Sequence, residues 1–348
     1  MLDFTQVALD NIAIHRVGSS AREGELFLAQ KLVDIQDENV LFLLQHYFLT
    51  PFKPTSFFSF SHDAKLELNE VYSYVTEIFQ NPDSLLEQSA NIARCLHAAS
   101  QHPNIKEGEL YVVRFSDCVV EGELVDALGI FKSESKEHFI KVYQKQNSFG
   151  VDADEGISIH KLDKGCLIFN TEQELGFKVC VVDSTNKSDE ARFWKDQFLK
   201  IKPREDNFYQ TSGYIDLCKS FVKEVFNDEN NVEKPDQLTM MNKSRDFFQQ
   251  KEVFNQSDFE LEVMQEPEII DAFRDYKEKY QTEQGCNLRD EFTISTDAAK
   301  QAKKVFKSVI KLDKNFHLYI HGGRERVERG TDEEKGLHFY KLYFENEE

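Results

Sequence analysis

Leu110-Tyr-Val-Val-Arg-Phe115, Val125-Asp-Ala-Leu-Gly-Ile-Phe131, Phe139-Ile-Lys-Val-Tyr143, Gly156-Ile-Ser-Ile-His160, Cys166-Leu-Ile-Phe169 and Phe177-Lys-Val-Cys-Val-Val182 decide the fold class of this chain. Each is a short run of β-branched and aromatic residues bounded by turn signals such as Leu162-Asp-Lys-Gly165, and each suits a strand. The links between them are short, which favours antiparallel pairing, because parallel strands need long crossovers. Residues 109–183 therefore read as an antiparallel meander.

On either side the period changes. Val7 to Gly18 suits an opening strand. Asn39 to Phe48 is apolar nearly all round, which predicts a buried helix ended by Pro51 and Pro54. Glu70 to Phe79 and Ser84 to Ser100 read as amphipathic helices broken at Asn81-Pro-Asp83. Beyond the meander, Asp189 to Lys200 suits a helix, and Tyr214, Leu217, Phe221 and Val225 form a helical stripe. Ile269, Ile270, Phe273, Tyr276 and Tyr280 mark a further helix. The fold class is α+β: a helical and antiparallel-sheet N-terminal half, then a mainly helical C-terminal half closed by a β-hairpin. The polar run Asp183-Ser-Thr-Asn-Lys-Ser188 places the domain boundary between 185 and 186, giving 1–185 and 186–348.

The chain has 348 residues, enough for two cores, and 30 phenylalanines that are expected to supply much of them. Six cysteines lie without a C-x-x-C pair, which argues against a zinc ribbon or redox motif. No secretory signal opens the chain and no apolar run approaches a membrane span, so the expectation is cytoplasmic, with free thiols and no membrane partner. The net charge is −20, which opposes nucleic acid unless the positive charge is segregated. Screening over roughly 8 Å at physiological salt lets a basic face act apart from an acidic body.

Such a face is written near the carboxyl end. From Asp297 to Lys311 the sequence reads as a helix capped by Asp297. At about 100° per residue, Lys300, Lys303, Lys304, Lys307 and Lys311 share one face, with Ala302, Val305, Phe306 and Val309 opposite. Arg324, Arg326 and Arg329 follow in a charged loop between two expected strands, Phe316–His321 and Lys335–Phe344. These eight cations are candidate phosphate contacts; a solvated face, or a lattice with Glu325 and Glu328, is the competing reading. His317 and His321 share a strand face but lack a third ligand, so no metal site is assigned. His15 reads as a satisfied, half-buried histidine of the opening strand rather than a catalyst. H-E-x-x-H, G-x-S-x-G and P-loop signatures are all missing, so no catalytic residue and no cofactor is assigned.

Ile12-Ala-Ile-His-Arg-Val-Gly18 and the closing stretch from Phe316 to Phe344 resemble the bacterial nucleoid-associated protein family (NdpA-like). The resemblance implies a cytoplasmic, non-enzymatic protein found with the nucleoid and able to associate with DNA. One alternative is an acidic interaction module recruited by a basic DNA-processing partner. Another is a metal-dependent hydrolase, which would need three or more acidic or histidine side chains to converge. A homodimer is the default expectation for assembly.

Overall fold

The computed structural model describes residues 2–22, 24–52, 56–102, 105–184, 193–230, 232–306, 309–320 and 324–346. They form two compact units, Met1–Arg204 and Glu205–Glu348. The division falls later than the 185/186 boundary read from sequence. Phe193–Leu199 forms a π-helical turn whose Trp194 and Phe198 enter the first unit's core, and Ile201–Pro203 joins its sheet. Residues 185–192, where the helix from Asp189 was expected to begin, lie outside the described residues.

The strands of the first unit are β1 (Leu2–Asp3), β2 (Ala8–Val17), β3 (Leu26–Phe27), β4 (Phe58–Phe60), β5 (Gly108–Val120), β6 (Glu123–Ser133), β7 (Glu137–Lys145), β8 (Ser148–Gly156), β9 (Lys164–Phe169), β10 (Lys178–Asp183) and β11 (Ile201–Pro203). All but β7 and β8 build one antiparallel sheet in the order β11-β4-β10-β9-β6-β5-β2-β3, with β1 also pairing with β5. Both faces are covered, so the central strands read as almost unbroken apolar runs rather than as strict alternation. Leu110, Val112, Leu128 and Ile130 point into a core shared with helices α2 (Glu70–Gln80) and α3 (Leu85–Ala99). Tyr111, Val113, Phe115 and Phe131 point into the opposite core, where Phe131 stacks on Phe48 at 4.4 Å.

Phe48 belongs to α1 (Glu38–Leu49), and here the expectation of a helix buried all round is corrected. Only Tyr47, Phe48 and Leu49 are buried; Val40, Phe42 and Leu43 are exposed, because α1 meets the core through its C-terminal half, where Leu44 also packs. A second correction concerns Gly156–His160. The strand there is Ser148–Gly156, which pairs with β7 in a hairpin separate from the sheet, while Ile157 turns into the second core.

The second unit contains α4 (Asn207–Glu224), α5 (Lys234–Gln250), α6 (Pro267–Gln284) and α7 (Thr296–Val305), with the ribbon β12 (Val253–Asn255) and β13 (Glu291–Thr293). Its core uses the abundant phenylalanines: Phe254 stacks on Phe292 at 4.9 Å and on Phe248 at 5.7 Å. Lys277 is buried among them because its Nζ donates to Tyr214 Oη, Gln256 Oε1 and Asp290 Oδ1 at 2.6–2.7 Å. A buried ammonium is tolerated only with such pairing.

His15 on β2 is fully buried, not half-buried. Its Nδ1 accepts the Ala29 amide proton at 3.1 Å, which places the ring proton on Nε2, 2.9 Å from Ser89 Oγ. Burial first, and the Arg94 charge second, lower its pKa from 6.5 to about 4. Between those values the unfolded chain binds a proton that the folded chain refuses. The stability tied to this ring is therefore complete above pH 6.5 and is lost as pH falls towards 4. In denaturant titrations H15Q is expected to show a shallower loss of stability than wild type across that window. Parallel profiles would contradict the assignment.

Candidate nucleic-acid interface

The basic segment begins as sequence predicts and then departs from it. Ser295, rather than Asp297, caps α7, accepting from the Ala298 amide; Asp297 sits in the first turn, where its charge suits the helix dipole. Ala298, Ala299 and Ala302 face the core, and Lys300 points to solvent. Its Nζ lies 3.3 Å from Asp297 Oδ1. Lys300 also lines a cavity of about 710 Å³ with Lys251, Thr293 and Thr296. Lys303 and Lys304 lie on α7, and Lys307 lies outside the described residues.

The helix does not reach Lys311. Phe306 is anchored in the core just after the last helical turn, and the branched pair Val309-Ile310 suits the strand β14 (Val309–Leu312). That strand pairs with β15 (Phe316–Tyr319). The expected single terminal hairpin is therefore two, since β16 (Val327–Asp332) pairs with β17 (Leu337–Leu342). Strand alternation sends Ile310 inward and puts Lys311, His317 and Tyr319 together on the other face of β14–β15. All three are exposed, and Tyr319 is 69% accessible.

The three arginines have different surroundings. Arg324 Nε donates to Asp236 Oδ1 at 2.5 Å, Nη2 donates to Asp236 Oδ2 at 3.2 Å and to Glu233 Oε2 at 2.9 Å, and Nη1 donates to the Val327 carbonyl at 2.8 Å. The Asp236 contact, with Glu233 beside it, raises the guanidinium's pKa further against the opposing effect of burial. Arg324 thus ties the start of β16 to the first turn of α5. Arg326 pairs with Glu345 at 2.8 Å. Arg329 is exposed on β16 opposite Tyr340. Among the described residues, no carboxylate lies within ion-pair distance of Lys311 or Arg329, which stand on different hairpins.

The histidines of this segment stand apart. His317 and His338 belong to separate hairpins, His321 is outside the described residues, and His338 Nδ1 is 2.9 Å from Thr331 Oγ1. Among the described residues, no group of three or more His, Cys, Asp or Glu is arranged to hold a metal ion, and no helix is long and apolar enough to cross a membrane.

The family model described as nucleoid-associated protein YejK matches residues 13–335, and the chain belongs to that family of nucleoid-associated proteins. No curated protein matches it.

Asp236 and Glu233 were the residues that sequence reading missed. They lie far from Arg324 in the chain, and nothing local marks them as its partners. Because the fork is partly buried and charge-assisted, R324A is expected to lower stability by about 1–2 kcal/mol in chemical denaturation. The same loss should accompany faster amide exchange in β16. Unchanged stability would show that the fork contributes nothing to holding this hairpin.

Proposed function

We propose that the protein associates with DNA through low-specificity contacts to the phosphate backbone, made by cations of its C-terminal unit. The contact set is Lys303, Lys304, Lys307, Lys311 and Arg329. Arg324 is left out because two carboxylates neutralise it, Arg326 because it shares Glu345, and Lys300 because it pairs with Asp297. The observation that carries the reading is that Lys311 and Arg329 stay exposed and unpaired among the described residues of a chain whose net charge is −20. Unneutralised cations can displace counterions from DNA; paired ones have little to offer. His317 and Tyr319 flank Lys311 with hydrogen-bonding side chains suited to phosphate and sugar.

A second reading has its own support. Glu268, Asp271, Asp275 and Glu278 line one exposed face of α6 at helical spacing. That stripe suits a basic protein partner, through which nucleoid association would be indirect.

Fluorescence anisotropy with short duplexes of unrelated sequence separates the two. The wild-type chain should bind them alike, and K311E/R329E should weaken binding roughly tenfold on every duplex. Unchanged affinity in the variant overturns the contact set. A wild-type chain that ignores DNA alone, yet is recruited to it by a basic partner, supports the second reading.

A further inference from the structure

The hairpin β7–β8 differs from every other strand pair of the first unit. It pairs only with itself, and every residue of β7 is exposed. An isolated two-stranded ribbon is marginally stable in water unless something packs on it. Its two faces are not equivalent.

One face covers itself. Tyr143 lies over Gly150 and Phe139 over Gly156, so that a side chain at either glycine would meet the ring. Lys141 Nζ is 2.7 Å from Asp154 Oδ2 and 5.3 Å from the centre of the Phe139 ring. Aromatic rings over strand glycines and a cross-strand ion pair are both stabilising devices.

The other face has no such cover. Register places Ile140 opposite Ala153, Val142 opposite Val151, and Gln144 opposite Phe149. Ile140, Val142, Phe149 and Val151 are 64–71% exposed. Charge is confined to one end of this face, where His138 pairs with Glu155.

We propose that this face is the contact surface between two copies of the chain. Its four large side chains present roughly 500 Å² of apolar surface, at the upper end of what a monomer usually leaves bare. Two such faces closed on each other bury about 1,000 Å², the least that a biological interface needs and a size suited to a weak, reversible dimer. The charge pattern also fits a second copy. A twofold axis near the Val142–Val151 pair lays the His138–Glu155 end of one arm over the uncharged Gln144–Phe149 end of the other. Two bodies of net charge −20 repel, and they meet here through a surface that brings no like charges together. The inference is independent of DNA contact.

Sedimentation of the full-length chain between about 1 and 100 μM tests it. The expected result is a dimer in the micromolar range. V142D/V151D should weaken self-association at least 100-fold with an unchanged circular dichroism spectrum. Because Asp also disfavours strand, V142T/V151T keeps the branched shape and should weaken the dimer about tenfold. K141A, on the self-covered face, should leave it intact. A wild-type chain that is monomeric at the top concentration overturns the proposal, as does a dimer that neither double variant affects.

Discussion

Acidic side chains outnumber basic ones by 62 to 42 in this protein, so the ordinary fate of a lysine or arginine here is an ion pair. That excess governs both units. In the first, Lys132 is fully buried at the end of the sheet, donating to the Lys106 carbonyl at 2.7 Å and to Glu134 at 2.9 Å. Burial lowers its pKa and Glu134 opposes the shift. Its cross-strand neighbour Lys164 lies 3.3 Å from Asp183. In the second, Arg324 is taken up by Asp236 and Glu233. Other cations, such as Lys219, Lys223 and Lys314, are exposed without an ion pair among the described residues; Lys311 and Arg329 are set apart by standing on the exposed faces of the two closing hairpins.

The same logic explains how much the sequence reveals. The central strands were legible because β-branched and aromatic residues cluster between turn signals, and the pairing of β5, β6, β9 and β10 follows from their short links. Helices α2 and α3 were legible from their amphipathic stripes. What failed were judgements about environment. The apolar residues of α1 look buried in sequence, yet Val40, Phe42 and Leu43 in its first half stay exposed. Nothing local in the sequence marks Lys132 and Lys164 as buried, and only the tertiary fold supplies their carboxylates.

The candidate site failed in an instructive place. A helix through Lys311 satisfies the lysine periodicity and also buries Phe306, but periodicity does not register the strand preference of the branched pair Val309-Ile310. Val309-Ile310-Lys311 follows that preference, and one continuous lysine face becomes a helix followed by a ribbon. The arginine loop likewise resolves into three separate environments, from the fully engaged Arg324 to the exposed Arg329. Family membership establishes the nucleoid as the setting. The DNA contacts proposed above rest on Lys311 and Arg329, exposed and without an ion pair among the described residues.

The salt dependence of duplex affinity measures those unpaired cations most directly. For the wild-type chain, log affinity should fall with log salt by about 0.9 for each phosphate engaged, and K311A/R329A should flatten the slope by about 1.8. A wild-type slope near zero, or two parallel lines, would contradict the claim that unpaired C-terminal cations bind the DNA backbone.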